Sequence, residues 1–441
     1  SLQETPGGVT PTHRPMGDRT FMSSNASAVP RPAPLATLDV AQAGFYLRDD
    51  YFDLLTWLRT NEPVHRSTNG MVLVTRYEDI REVSREPLRY TSRRGALVND
   101  PMRAVEPNDA SGSLLHLDPP LHADYRKLLN REFTPRAVAL MERTVRDIVD
   151  DAFVALDEHL ERSDGVADLV EHLALPIPVR VIAELLGMGD QSLADVRRWS
   201  DATIAITDDP SPQVLADAME FFAFLEGHVQ ERFDAVDAGA APDDLLSLLA
   251  VSQVHGARLT PAQLQLFCMT LMVAGNETTR SLLSGGALAL AEHPDQRAAL
   301  AADSTVVPGA VEECLRWVTP IQAFCRTANE AGTLGGTPID AGDYLVLLYA
   351  SGNRDESVFG VDADRFDVKR PSTPAHLAFG FGEHLCLGAS LARLEARLVF
   401  EELVRRYPDY EVAGDPVLVP STLTRGLAEL PIAFRPGSAR R

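Results

Sequence analysis

Lysine is almost absent from this chain. In 441 residues it occurs only at Lys127 and Lys369, so arginine carries nearly all the positive charge. Positive charge is itself scarce: 41 basic side chains against 63 acidic ones give a formal charge of −22. Binding to nucleic acid needs a dense positive surface, and this composition argues against it. Cysteine is scarce as well. Cys268, Cys314, Cys325 and Cys386 form no C-x-x-C pair, which argues against a structural zinc site and against a disulfide framework. A reducing, cytoplasmic setting is expected. Long apolar runs are missing too. The strongest, Leu264 to Gly275, is too short to span a bilayer, and the first 30 residues hold no apolar core of a secretory signal. No membrane anchor is expected.

What remains is ordinary globular material, 45% hydrophobic and 24% charged, long enough to enclose a large ligand. Residues 1–37, rich in Pro, Ser and Thr, read as a flexible tail, and 38–441 as one folded domain. Tyr51 to Arg59 reads as a short amphipathic helix and Gly70 to Thr75 as a strand. Helical spacing dominates from about 135 to 320, as in 140–160. Strand character returns at 333–350, and a last helix runs from Leu387 to Tyr407. Helices and strands are segregated rather than alternating. The expected class is therefore mainly α with a small β-rich part, not a doubly wound sheet.

The most informative segment is Phe379-Gly380-Phe381-Gly382-Glu383-His384-Leu385-Cys386-Leu387-Gly388. A metal-bound thiolate needs apolar cover, which the phenylalanines and leucines supply. It needs backbone close to a flat cofactor, which the three glycines permit. It also needs support for negative charge, and Cys386 stands where the last helix begins, near free N–H groups and the positive end of the helix dipole. Read alone, Cys386 is equally a buried structural thiol. A dinucleotide loop fits poorly, since Leu385 occupies the place of the third glycine.

A second segment breaks local rules. Thr260-Pro261-Ala262-Gln263 opens a helix with a capping box and proline at the first position, and Pro294 closes it. About 33 residues, roughly 50 Å, must run through the core. In its middle lies Ala274-Gly275-Asn276-Glu277-Thr278-Thr279. Glycine and threonine are poor mid-helix residues, and a buried glutamate is costly unless paired or hydrated. One reading is an ion pair with Arg280. The chemical reading is a proton relay: Ala274 and Gly275 leave room for oxygen, the Thr278 hydroxyl holds it with a water, and Glu277 feeds protons from solvent.

Together the two segments, F-G-x-G-x-H-x-C-x-G and A-G-x-[DE]-T-T, resemble the cytochrome P450 family, soluble bacterial type, over about residues 40–435. The resemblance implies that fold, a haem b (iron protoporphyrin IX), and Cys386 as axial ligand to its iron. Thiolate ligation favours O–O cleavage. It implies cofactor contacts at Ala274, Phe379 and Gly388, and propionate ligands at His122, Arg126, Arg326 and His384. His122 and Arg126 follow Leu117-Asp118-Pro119-Pro120 and share a helical face, although His-x-x-x-Arg alone reads as a solvated face. Glu313 and Arg316, with Arg365 of Ala363-Asp364-Arg365-Phe366, resemble a buried structural network that fixes the cysteine loop. Val273, Ala274, Ile321, Gln322 and Ala323 are expected to wall the substrate pocket, and 91–112 to form a mobile loop facing it.

The activity implied is insertion of one atom of dioxygen into an apolar substrate such as a sterol, branched lipid or natural product. Electrons are expected from a separate ferredoxin with its NAD(P)H-dependent reductase. A peroxide-driven enzyme or a non-catalytic haem sensor would have no use for the Glu277–Thr278 pair. Lys127 and Arg131, with Arg393 and Arg397 four apart on the last helix, are expected to form a basic docking patch in an otherwise acidic protein.

Overall fold

The protein is described by a computed structural model covering residues 38–105, 113–188, 193–206, 208 and 210–435. The expected tail, and 106–112 of the expected mobile loop, lie outside these residues.

The long helix forms over Pro261–Glu292, 32 residues. Its capping box is complete. Gln263 N–H donates to Thr260 Oγ1 at 3.2 Å, and Thr260 N–H donates to Gln263 Oε1 at 3.0 Å. The helix packs against Pro176–Leu185, Leu193–Ala205, Pro212–Asp237, Val307–Val318 and Ala389–Arg406, so most of its turns are covered. Small residues set how closely it approaches two of these. A Cβ on Gly286 would lie 2.5 Å from Cζ of Phe400 and 3.2 Å from Sγ of Cys314, so three helices meet at one bare backbone position. Leu282, Leu283, Leu290, Leu315, Leu398 and Leu403 fill the core around it. Each buried leucine contributes roughly 1.5–3 kcal/mol.

The strands gather beside this helical body. Five of them order as Val64–Arg66, Val72–Val74, Tyr344–Leu348, Ala323–Ala328 and Tyr90–Thr91. All pairs are antiparallel except Val72–Val74 with Tyr344–Leu348. Alternation along Ala323–Ala328 decides what faces the site. Ala323 and Cys325 point into an apolar cluster with Leu54, Leu58, Val346 and Leu348. Phe324 and Arg326 point the other way. The expected strand run at 333–350 divides into the hairpin Gly332–Leu334 with Thr337–Ile339, then Tyr344–Leu348. Among the described residues no helix is long and apolar enough to cross a membrane.

Candidate active site around the cysteine loop

The loop after Leu377 turns twice through left-handed backbone, at Gly380 (φ +71°) and Gly382 (φ +75°). Gly382 has a second reason to be bare, since its Cβ would lie 2.3 Å from the carbonyl oxygen of Ser84 on the helix Tyr77–Arg85. Guanidinium groups hold the outer rings in place. Arg81 and Arg85 sit over Phe381 at 4.5 and 4.8 Å, and Arg393 over Phe379 at 4.5 Å. Cys386 N–H donates to the Phe379 carbonyl at 2.9 Å, closing the loop just before the helix Ala389–Arg406.

Cys386 lies deep in the protein, yet its side chain has accessible surface, and so does Leu385 beside it (46%). Accessible surface on residues so deeply set marks a hollow beside the loop. Burial pushes the Cys386 thiol up, against the opposing pull of the Gly388 N–H, Arg126 and Arg393. A bare thiolate is thus disfavoured here, in contrast to the expectation from the helix terminus. Metal coordination is the influence strong enough to deprotonate such a thiol. Nothing lies within 4 Å of where a Gly388 Cβ would be, which leaves clearance beside the sulfur.

One edge of the site gathers basic groups without acids. The rings of His122, on the helix Leu121–Asn130, and His384 have centroids 4.3 Å apart. His384 Nε2 is 3.2 Å from Ser92 Oγ. Burial, then Arg126 and Arg326, push His122 down to about 4, and burial with Arg326 and His122 drives His384 well below the usual imidazole value. Arg326 is buried and donates to the carbonyl of Cys325 at 2.6 Å. Among the described residues no carboxylate pairs with His122, His384 or Arg326. Three mutually repelling basic groups around a hollow fit a ligand that brings its own carboxylates, as a haem with two propionates does. Arg126 donates to the carbonyls of Glu383 (3.3 Å) and Leu385, so it braces the cysteine loop.

On the long helix, Ala274 and Thr278 keep accessible surface while Met272, Asn276, Glu277, Thr279 and Arg280 are buried. Four residues apart, Ala274 and Thr278 share a face, and Thr278 Oγ1 donates to the Ala274 carbonyl at 2.7 Å. Glu277 is 2% exposed. Its carboxylate meets Arg280 at 2.5 Å and accepts from Thr424 Oγ1 at 3.3 Å. Burial pushes its acid strength down, while Arg280 opposes that shift.

Several expectations need correction. Gln322 and Ala323 have no accessible surface. Gln322 accepts from the Tyr51 hydroxyl at 2.9 Å, and Ala323 faces the cluster behind the sheet, so neither walls the hollow. Val273 and Ile321 are only half-buried. The third member of the buried network is Arg370, whose guanidinium lies 3.3 Å from Glu313. Arg365 contributes only its carbonyl, to Arg316 and Arg370 at 3.0 Å each, while its side chain is exposed. The basic patch is largely neutralised. Arg393 pairs with Glu312 at 2.6 Å, Arg397 with Glu142 at 3.0 Å and Glu401 at 3.2 Å, and Lys127 with Asp124 at 3.0 Å. Arg131 is 87% exposed and 3.8 Å from Glu132. The sequence reading did not single out Arg370, Thr424 or Asp201. Only Arg280 carried a signal, its spacing of three from Glu277.

This arrangement is that of a haem-thiolate oxygenase: one accessible cysteine on a glycine-rich loop, a carboxylate-seeking edge, and an alcohol–acid step on a long helix. Residues 59–408 match the family model for cytochrome P450, and the chain belongs to that family. It is a haem-dependent monooxygenase. It is 34% identical to the steroid C26-monooxygenase of Mycobacterium tuberculosis, over 90% of this chain and 97% of that one. It is 38% identical to the cytochrome P450 monooxygenase PikC of Streptomyces venezuelae, over 91% and 95%. Among solved structures, a Mycobacterium marinum cytochrome P450 in complex with pseudoionone superposes with a TM-score of 0.80 at 34% identity, covering 91% of this chain and 99% of that one.

Proposed function

We propose that this monooxygenase inserts one atom of dioxygen into a C–H or C=C bond of a sterol, branched lipid or related natural product. The other atom leaves as water, with two electrons from a soluble ferredoxin and its NAD(P)H-dependent reductase, and two protons. The observation that carries this reading is the step from buried acid to accessible alcohol at Glu277 and Thr278. Cys386 would hold the haem iron, and His122, Arg126, His384 and Arg326 would hold the propionates, with Arg126 also bracing the cysteine loop. Phe379 covers the sulfur, and Gly388 and Ala274 give clearance to the cofactor. When bound, the haem activates dioxygen. Thr278 orients a proton toward the reacting oxygen and Glu277 replenishes it, a contribution typically worth about 10²–10⁴-fold. Val273 and Ile321 border the substrate. Relatives named for steroids, a methyl-branched lipid and vitamin D(3) support the choice of substrate class.

Two experiments test this. Sterols, methyl-branched fatty acids and macrolides are titrated into the purified holoprotein, and hits are assayed for hydroxylated product with ferredoxin, reductase and NADPH. A panel in which none shifts the haem absorption band removes the substrate class. Product formed with peroxide but not with the ferredoxin system removes the electron route. Separately, Cys386→Ser is expected to abolish the thiolate band of the reduced, carbon-monoxide-bound protein, and its survival would assign the ligand elsewhere.

A further inference from the structure

We propose that a cleft behind the helix Leu121–Asn130, separate from the cysteine hollow, is a second ligand site that takes an amphiphile with one anionic head, of the fatty-acid type. The cleft has a volume of about 460 Å³, within the range of pockets that hold small molecules. Four segments enclose it: the turn Leu117-Asp118-Pro119-Pro120, the helix after it, the hairpin Gln253–Val254 with Ala257–Arg258, and the start of the long helix. Among the described residues, its lining does not include Cys386, Ala274 or Thr278. Helical spacing explains the separation. Leu121 and Tyr125 face the cleft, whereas His122 and Arg126, one residue further on in each case, lie about 100° round the helix, toward the cysteine loop.

The lining selects the ligand. Leu117, Leu121, Val254 and Leu259 form an apolar wall, and Arg93 and Arg258 border it. Among the described residues lining the cleft, the one carboxylate is Asp118. It is already engaged, accepting from Thr91 Oγ1 and from Ser92 N–H at 2.9 Å. Arg258 uses Nη1 on Asp237 at 2.7 Å and Nε on the Ala250 carbonyl, while Nη2 is buried and makes no hydrogen bond within the protein. The Tyr125 hydroxyl accepts from Gln263 Nε2 at 2.8 Å, so its own proton is available to a ligand oxygen. A carboxylate offers acceptors to these donors, and an alkyl chain covers the apolar wall. The hairpin tip is tied across to the helix, since His255 Nε2 lies 2.9 Å from Asp124 Oδ2. The walls also adjoin the basic edge of the hollow. Arg93 follows Ser92, whose Oγ lies 3.2 Å from His384 Nε2, and Leu121 and Tyr125 share a helix with His122 and Arg126. An occupant of the cleft therefore bears on three of the four groups proposed to hold the propionates.

The test uses holoprotein whose haem iron is capped by an azole that fills the hollow, so a fatty acid has no access there. Decanoate is titrated in by calorimetry. Saturable binding of one molecule per chain is expected, weakened about tenfold in Arg258→Gln and abolished in Val254→Trp, which fills the cleft. Decanol is expected to bind about tenfold more weakly than decanoate. No binding to the parent, or equal affinity in parent and both variants, overturns the site. Decanol binding as tightly as decanoate overturns the anionic head. Decanoate is also expected to shift the reduction potential of the capped haem in the parent but not in Val254→Trp. No shift in the parent, or equal shifts in both, overturns the link to the propionate edge. That last readout rests on the proposed propionate contacts, whereas the calorimetry does not.

Discussion

Glu313 with Arg316 and Glu277 with Arg280 are the same device in sequence: an acid, then an arginine three residues later on one helix. Both pairs are buried, but their surroundings differ. Arg316 holds Glu313 at 2.7 and 2.8 Å and donates to the carbonyls of Asn353, Ala363 and Arg365. Glu313 accepts further from Asp367 N–H at 2.9 Å and meets Arg370. That network is nearly saturated, so it has one arrangement. The pair on the long helix has one guanidinium for two acids, a long contact to Thr424 and unsatisfied atoms around it. A closed set of hydrogen bonds makes a strut, and an open one can pass a proton. Spacing alone does not tell them apart.

The comparison breaks most clearly through substitution of each glutamate. Glu277→Gln is expected to slow coupled turnover by about 10²–10⁴-fold with little change in melting temperature. Thr278→Ala is expected to keep consuming NADPH and oxygen but to release peroxide in place of product. Glu313→Gln is expected to do the reverse. Removing one charge of a buried, hydrogen-bonded pair costs about 3–5 kcal/mol, visible in denaturant unfolding and in haem retained on purification. A turnover defect in Glu313→Gln at full stability and haem content would erase the distinction.

Arg370 and Arg365 sharpen it. Arg370→Ala strands part of Glu313 and is expected to cost roughly 1–3 kcal/mol. Arg365→Ala removes an exposed side chain and is expected to stay within about 0.5 kcal/mol of the parent. Equal losses would return Arg365 to the network. A smaller, pH-dependent effect belongs to Glu312, next to Glu313. Burial works against its charge, but His376 and Arg393 outweigh burial and hold it down to about 2. An acid depressed on folding contributes stability above its unfolded value, and that contribution is lost as pH falls through its folded one. Glu312→Gln is therefore expected to flatten the loss of stability between about pH 4.5 and 2. An unchanged slope removes this assignment.

The smallest effect concerns electron delivery. Arg393, Arg397 and Lys127 each face an acid at 3.0 Å or less, while Arg131 is 87% exposed and farther from its own, at 3.8 Å from Glu132. Arg131→Glu is expected to slow ferredoxin-driven reduction modestly, at low salt only, without altering dithionite reduction. Equal stopped-flow rates at two ionic strengths would remove Arg131 from docking.

How much of this was readable beforehand follows a physical line. The long helix was legible to within a residue because capping box, proline and apolar spacing agree. The cysteine loop was legible because glycines needed for left-handed turns and close approach leave a fixed pattern. The strand Ala323–Ala328 was not read from the sequence, so Gln322 and Ala323 were assigned to the wrong side. Period-two alternation fixes two faces without saying which one looks at the site. Arg370 was missed because it lies five positions beyond Arg365 in a loop, and only tertiary packing selects the guanidinium. Asp201 was missed because its partner lies 79 positions away.

The bare backbone at Gly286 reaches beyond packing. It seats the ring of Phe400 and the sulfur of Cys314 against the long helix, joining the segments that carry the acid, the strut and the cysteine. An alanine there has no room, and small tilts between those three rods are closed to accumulated mutation. Retooling this enzyme for a different substrate must therefore proceed by exchanging side chains around the hollow, or through helices such as Leu193–Ala205 and Pro212–Asp237 that lie outside the joint.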